Sequence, residues 1–255
     1  MSTDIKKAKL VIFDLDGTLT ESKTDMDSEM ASLLERLLSK RMVAVISGGG
    51  FDRFKEQFLN RIDYPPERLS RLFLFPTSAT RFYRYDNGWK EVYADMLASA
   101  ERKKIKTAFD CAFKDIHYQH PLKLYGEVVE DRGTQVTFSA LGQEAPLEAK
   151  KRWRGSQDDR RREIVEALKK YLPEFQIQIP GLTSIDVTKK GINKAYGIRQ
   201  MEKLLSISVS DMIFVGDALY GGGNDYPVKE AGVETIAVSG PKETKEIIAS
   251  WLKTI

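Results

Sequence analysis

Four hydrocarbon side chains in a row, Leu10-Val11-Ile12-Phe13, lead without a break into Asp14, Leu15, Asp16 and the turn Gly17-Thr18. No other stretch limits the fold so tightly. A short run that is apolar on both faces fits a strand covered on both sides inside a parallel sheet. Two carboxylates at its end are costly to bury without cations or hydrogen-bond donors. In open α/β sheets, ligands bind outside the carboxyl ends of the strands. The run therefore predicts a parallel sheet with a polar site at its C-terminal edge.

The strand–helix alternation repeats through the first third of the chain. Asp27 or Ser28 can cap a helix running to about Lys40, with Met30, Leu33, Leu34, Leu37 and Leu38 on one face. Met42-Val43-Ala44-Val45-Ile46 is a second buried strand and ends in Ser47-Gly48-Gly49-Gly50. Phe51, Phe54, Phe58 and Leu59 mark another helix. Leu72-Phe73-Leu74-Phe75 is a third strand, stopped by Pro76. Such alternation implies right-handed crossovers.

The middle of the chain follows another pattern. Residues 83–89 look like a strand entering the Asn87-Gly88 turn. A long helix is expected from about 91 to 117, then weaker strands near 123–129 and 135–138. A charged helix over about 158–171 and strands at 175–179 and 183–187 close this section. The alternation then resumes with a helix over 192–205, strands at 212–215 and 235–238, and a final helix over 242–252. The fold class expected is α/β, a doubly wound, Rossmann-like parallel sheet assembled from residues 1–86 and 188–255. Residues 87–187 form an inserted α+β cap.

Composition narrows the function classes. The 255 residues carry 40 Lys+Arg against 37 Asp+Glu, both signs interspersed. This gives no electrostatic case for nucleic acid or an anionic membrane. No stretch approaches the roughly 20 apolar residues of a membrane helix. A single cysteine, Cys111, allows no intrachain disulfide and fits a reducing compartment. The first nine residues run straight into the first strand, which argues against a signal peptide. A cytoplasmic protein is expected.

Four strand ends or loops then carry chemistry: Asp14 and Asp16; Ser47; Lys194 within Lys190-Gly191-Ile192-Asn193-Lys194; and Asp217, with Gly221-Gly222-Gly223-Asn224-Asp225 downstream. In a parallel sheet these positions share one edge. Such a set suits a phosphoryl group. At about 4 Å and an effective dielectric near 20, each carboxylate–phosphate charge pair repels by on the order of 4 kcal/mol. Several carboxylates facing a phosphate therefore demand a divalent ion, and all-oxygen ligands favour Mg²⁺. Lysine adds a further positive charge, while a hydroxyl and glycine-freed N–H groups can hold the non-reacting oxygens. Lys190 competes with Lys194 for this role.

Plainer readings apply to the rest. Taken alone, Ser47 is a helix cap, an aspartate after a strand is a turn residue, and Lys194 is a surface lysine. Cys111, His117 and His120 lack a fourth zinc ligand. The basic stretch at residues 150–154 and 160–162 is interrupted by Asp158, Asp159 and Glu163, as on a solvated helix with local ion pairs.

With these motifs in this order, the chain resembles the haloacid-dehalogenase (HAD) superfamily of phosphotransferases. The insertion resembles the type C2B cap of subfamily IIB sugar-phosphate phosphatases. Asp14-Leu15-Asp16-Gly17-Thr18-Leu19-Thr20, Ser47-Gly48-Gly49 and Gly221-Gly222-Gly223-Asn224-Asp225 are closest in pattern to eukaryotic-type phosphomannomutases. The resemblance implies Asp14 as nucleophile, forming an aspartyl-phosphate, and Asp16 as general acid and base. It implies Ser47, Gly48 and Lys194 as phosphate ligands, with Lys194 matching the family's Gly-x-x-Lys pattern. Mg²⁺ would be held by Asp14, Asp16 through its backbone carbonyl, and Asp217, with Asn224 or Asp225 completing the shell. In the cap, Arg132, Gln143 and Lys150 match substrate-binding positions, and pairing of two copies through their caps is an expectation. Gln143 stands where the mutases have arginine, and Lys150 stands at another arginine position. Lysine does not reproduce arginine's bidentate fork. These departures, with Asp217 read as the phosphatase choice, turn the expectation toward hydrolysis of a small phosphorylated metabolite such as a sugar phosphate. The alternative is phosphomannomutase, interconverting mannose 6-phosphate and mannose 1-phosphate.

Overall fold

The computed structural model describes residues 5–22 and 24–255. The chain divides into two compact units, one of residues up to Ala94 together with Asn193–Ile255, the other Asp95–Ile192. Among the described residues the strands are, in chain order, β1 (Leu10–Asp14), β2 (Met42–Ile46), β3 (Leu72–Phe75), β4 (Arg81–Tyr85), β5 (Trp89–Ala94), β6 (Val129–Asp131), β7 (Val136–Ser139), β8 (Phe175–Gln178), β9 (Ser184–Lys189), β10 (Met212–Gly216) and β11 (Glu234–Ala237).

The first unit contains one sheet, in the order β11-β10-β1-β2-β3-β4-β5. Its first five strands are parallel, and β4 and β5 close one side antiparallel. The chain builds outward from β1 through β2 and β3, then returns to lay β10 and β11 on the other side of β1. This reversal is the switch point where doubly wound sheets open a ligand crevice. All five residues of β1 are buried. Val11 and Phe13 enter one apolar core with Val43, Val45 and Leu74. Leu10 and Ile12 enter a second core, on the other face, with Ala44, Ile46 and Phe214. Both faces are therefore covered, which is why the strand's sequence is apolar throughout.

Helices follow from the same chemistry. Asp27 caps the helix Ser28–Leu38 by accepting the Met30 N–H at 2.9 Å, and the predicted apolar stripe is its buried face. After β3, Pro76 ends the sheet ladder. Thr77, Ser78 and Ala79 then all take left-handed backbone, with φ of 50°, 55° and 65°. Each such residue costs about 1–2 kcal/mol for an L-amino acid, and all three are buried.

The second unit has an antiparallel sheet in the order β6-β7-β9-β8. Helices Ser99–Asp115 and Arg161–Tyr171 contribute Ile105, Phe109, Ile164 and Leu168 to an apolar core with Phe138, Ile185 and Val187.

Three expectations are corrected. Residues 91–94 do not begin a helix; with Trp89 and Lys90 they form β5, which pairs with β4 across the Asn87-Gly88 turn. They belong to the first unit, so the cap spans 95–192 rather than 87–187. The reason is that β5 is an edge strand whose Lys90, Glu91 and Val92 face solvent, which erases its alternation. The strand placed near 123–129 forms only as β6, and a helix at Leu147–Trp153 went unanticipated. Among the described residues, no helix is long and apolar enough to cross a membrane.

Candidate active site

Strand register sets the first unit's polar edge. Asp14 pairs with Ile46, so Ser47 follows directly beside it. On the other flank Phe13 pairs with Val215, which brings Gly216 and then Asp217 to the same edge. The helix Lys194–Leu205 begins with Lys194, and Asn193 caps it by accepting the Tyr196 N–H at 3.0 Å.

At this edge the Lys194 ammonium donates to Oδ1 of both Asp14 and Asp225. The ammonium also lies over the Phe214 ring, 5.7 Å from its centroid, and the side chain is only 3 % exposed. Lys190, the rival, is exposed to solvent. Asp225 is completely buried and also accepts the Ala218 N–H on Oδ2 at 3.0 Å. Asp14, Asp217 and Asp225 each offer an oxygen within 4.8 Å of the others. Two glycines make this packing possible. A Cβ on Gly17, which has φ of 86°, would stand 2.6 Å from an Asp217 carboxylate oxygen, and one on Gly216 would stand 2.3 Å from Asp225 Oδ2.

Three carboxylates thus face one ammonium, leaving two negative charges. The titration behaviour follows. Burial pushes the Asp14 carboxyl well above the usual range; Lys194 opposes this, and the charges of Asp225 and Asp217 add to it. Burial alone would lower Lys194, but the Asp14 and Asp225 carboxylates outweigh it and hold the ammonium above its ordinary range. Asp217 is the exposed member of the three; partial removal from water, then the charge of Asp225, push its carboxyl up to about 6. Asp16 lies on the turn after β1, half-buried, near enough for its charge to raise Asp217 further. An oxygen-only donor set with two uncompensated charges fits Mg²⁺. Among the described residues no other group of three or more acidic, histidine or cysteine side chains converges in this way, Cys111, His117 and His120 included.

Ser47 is buried, and its Oγ accepts the Gly49 N–H at 3.1 Å, which leaves the hydroxyl hydrogen to donate elsewhere. Gly48 lies between them, half-buried. Asn224 is half-buried and outside the carboxylate group, whereas Asp225 is inside it.

The cap carries a second polar constellation. Thr137 and Ser139 of β7 stand opposite Asp186 and Ser184 of β9, all four buried. Their neighbours Val136, Phe138, Ile185 and Val187 fill the apolar core. Thr137 donates its hydroxyl to Asp186 at 2.8 Å and accepts from Gln135 at 2.8 Å. Arg132 donates to Glu130 at 2.7 and 2.6 Å and to Gln143 Oε1 at 3.2 Å, so two of the sequence-predicted cap residues are in contact. Lys150 is buried within Leu147–Trp153. Ser184 and Asp186 were missed from the sequence. The signal was the polar alternation Ser184, Asp186, Thr188 against Ile185 and Val187.

Comparison with known proteins places this geometry. The family model described as eukaryotic phosphomannomutase matches residues 30–254. The chain belongs to the eukaryotic phosphomannomutase family. A phosphomannomutase of Encephalitozoon cuniculi is 28 % identical over 96 % of this chain and 94 % of its own length. That of Saccharomyces cerevisiae is 26 % identical over 95 % and 94 %. Among solved structures, a Plasmodium falciparum IMP-nucleotidase covers 97 % of this chain and 68 % of its own, with a TM-score of 0.70 at 18 % identity. A trehalose-6-phosphate phosphatase of Aspergillus fumigatus covers 98 % and 95 %, with a TM-score of 0.57 at 16 % identity. These likenesses establish the HAD fold, a parallel-sheet core with an α+β cap.

Proposed function

We propose that this enzyme transfers phosphoryl groups within hexose phosphates, as a phosphomannomutase interconverting mannose 1-phosphate and mannose 6-phosphate. The observation that carries the reading is the Lys194 ammonium set between Asp14 and Asp225, with Asp217 beside them at the switch point of the sheet. The family match and the full-length relatives favour isomerisation over the hydrolysis expected from Gln143 and Lys150.

In this reading an Asp14 oxygen bonds to phosphorus as the bond to the sugar oxygen breaks. Asp16 gives its proton to that departing oxygen, then takes one from the hydroxyl that receives the phosphoryl group back. Lys194 and the Ser47 hydroxyl hold the non-reacting oxygens. Asp14, Asp217 and Asp225 would hold Mg²⁺, with Asp16 and Asn224 in support; when bound, the ion offsets the charge between carboxylate and phosphate. The cap's row of hydroxyls, with Asp186 and Arg132, would read the rest of the sugar.

Hydrolysis keeps one specific argument. Glu130 neutralises Arg132, and Gln143 is uncharged where a second guanidinium would grip a distal phosphate. Incubation with mannose 1-phosphate, Mg²⁺ and a hexose bisphosphate separates the two. The expected outcome is mannose 6-phosphate in large excess over free phosphate. Free phosphate without isomerised sugar would establish the hydrolase instead.

A further inference from the structure

Thr77, Ser78 and Ala79 occupy a conformation that glycine would adopt more cheaply, yet none of them is glycine. They sit where the site's two phosphate-facing elements meet. The Thr77 N–H donates to the Gly49 carbonyl at 2.9 Å, and the Ser78 N–H donates to the Ser47 carbonyl at 2.8 Å. Two carbonyls of the loop after β2 are thereby tied on one side. Ala79 lies against Gly197, where an added Cβ would stand 3.0 Å from the Ala79 Cβ, one turn into the helix that Lys194 begins. The turn is itself clamped: Tyr93 donates its hydroxyl to the Ala79 carbonyl at 2.6 Å, and Thr80 donates to the Thr77 carbonyl at 2.8 Å.

The left-handed well of a non-glycine residue is small, whereas glycine roams widely around it. Three such residues in sequence make a stiff element. Strained backbone survives where its surroundings over-determine it, and it collects at functional sites. We infer that residues 77–79 form a rigid bracket that positions the phosphate grip, holding the Ser47–Gly49 loop and the Lys194 helix in register with each other. Ser78 is a positioning residue here, acting through its backbone. The inference rests on the reading of Ser47 and Lys194 as phosphate ligands.

The test sets stability against binding. Ser78→Gly keeps the backbone path open but removes the narrow well. Its thermal midpoint should equal or exceed that of wild type, while its affinity for inorganic phosphate with Mg²⁺, measured calorimetrically, falls about tenfold, as small misplacements of binding groups do. Ser78→Ala, which keeps a Cβ and loses only the hydroxyl, should restore tight binding. Equal phosphate affinity in Ser78→Gly and wild type would overturn the bracket, as would a loss of affinity matched by a lower melting point. Wild-type protein that binds no phosphate would overturn the assignment of the grip itself, which separates the two failures.

Discussion

At the scale of single residues the site is governed by its charge balance. One ammonium stands among three carboxylates, so Lys194→Met removes the partner of two buried acids at once. Leaving such charges unpaired costs about 3–5 kcal/mol. Urea unfolding without metal should show a loss of that size, with Mg²⁺ recovering part of it, and turnover should vanish. Asp217 sets a pH dependence. Its carboxyl is raised to about 6, so folded metal-free protein holds that proton more tightly than the unfolded chain does. The group's contribution to metal-free stability is complete at low pH and is lost as pH rises toward 6. Mg²⁺ binding runs the other way, because the ion must displace the proton. Its affinity should weaken as pH falls through about 6, with the raised Asp14 carboxyl adding to the loss. Melting curves with and without Mg²⁺ at pH 5 and pH 7 measure this, and an equal Mg²⁺-induced rise at both would refute it. Asp14, Ser47 and Asp217 were legible because each follows an apolar strand run; Lys194 was preferred to Lys190 only through its match to the family's Gly-x-x-Lys pattern. That Asp225 rather than Asn224 joins the carboxylate group was not legible, since the path of Gly221-Gly222-Gly223 depends on contacts outside the loop, such as Asp225 with the Ala218 N–H.

At the scale of elements, the helix that starts with Lys194 is set by a close approach. Gly197 lies against Ile46, and a Cβ there would come within 2.6 Å of the Ile46 Cδ1. Gly197→Ala would normally favour a helix. Here it should destabilise by about 1–3 kcal/mol through overpacking. It should also raise the KM for substrate, because the helix moves away from β2 and carries Lys194 with it. A urea midpoint above that of wild type would refute the argument. The strands of the core were legible for a related reason: double burial leaves an uninterrupted apolar run. The edge strand β5 was not, because solvent on one side and charges at Lys90 and Glu91 imitate the start of a helix. Nor was the turn at residues 77–79, since Thr, Ser and Ala have no preference for positive φ. Only the closed network around them imposes it.

At the scale of the whole molecule, the three apolar cores respect the division of the chain. Two lie on the faces of the parallel sheet and draw only on residues of the first unit. The third, built around Phe109, Phe138, Ile164 and Ile185, draws only on residues 95–192. Among the described residues no buried apolar cluster mixes the two, so damage to one core should remain local. Phe138 is the sharpest probe. Its ring packs 5.8 Å from Phe109, 5.2 Å from Phe113 and 6.0 Å from Tyr118, and its strand carries Thr137 and Ser139 on the polar face. Phe138→Ala should cost about 3–5 kcal/mol, drawn from the cap alone. Hydrogen exchange read by mass spectrometry should accelerate across 95–192 and stay at wild-type rates in β1, β2 and β10. Inorganic phosphate with Mg²⁺ should still bind, since Asp14, Ser47, Lys194 and Asp217 all lie in the other unit. On the proposed function, turnover of mannose 1-phosphate should fall sharply, because the strand that carries Thr137 loses its support. Faster exchange in β1 as well would mean that the two units unfold as one, despite their separate cores.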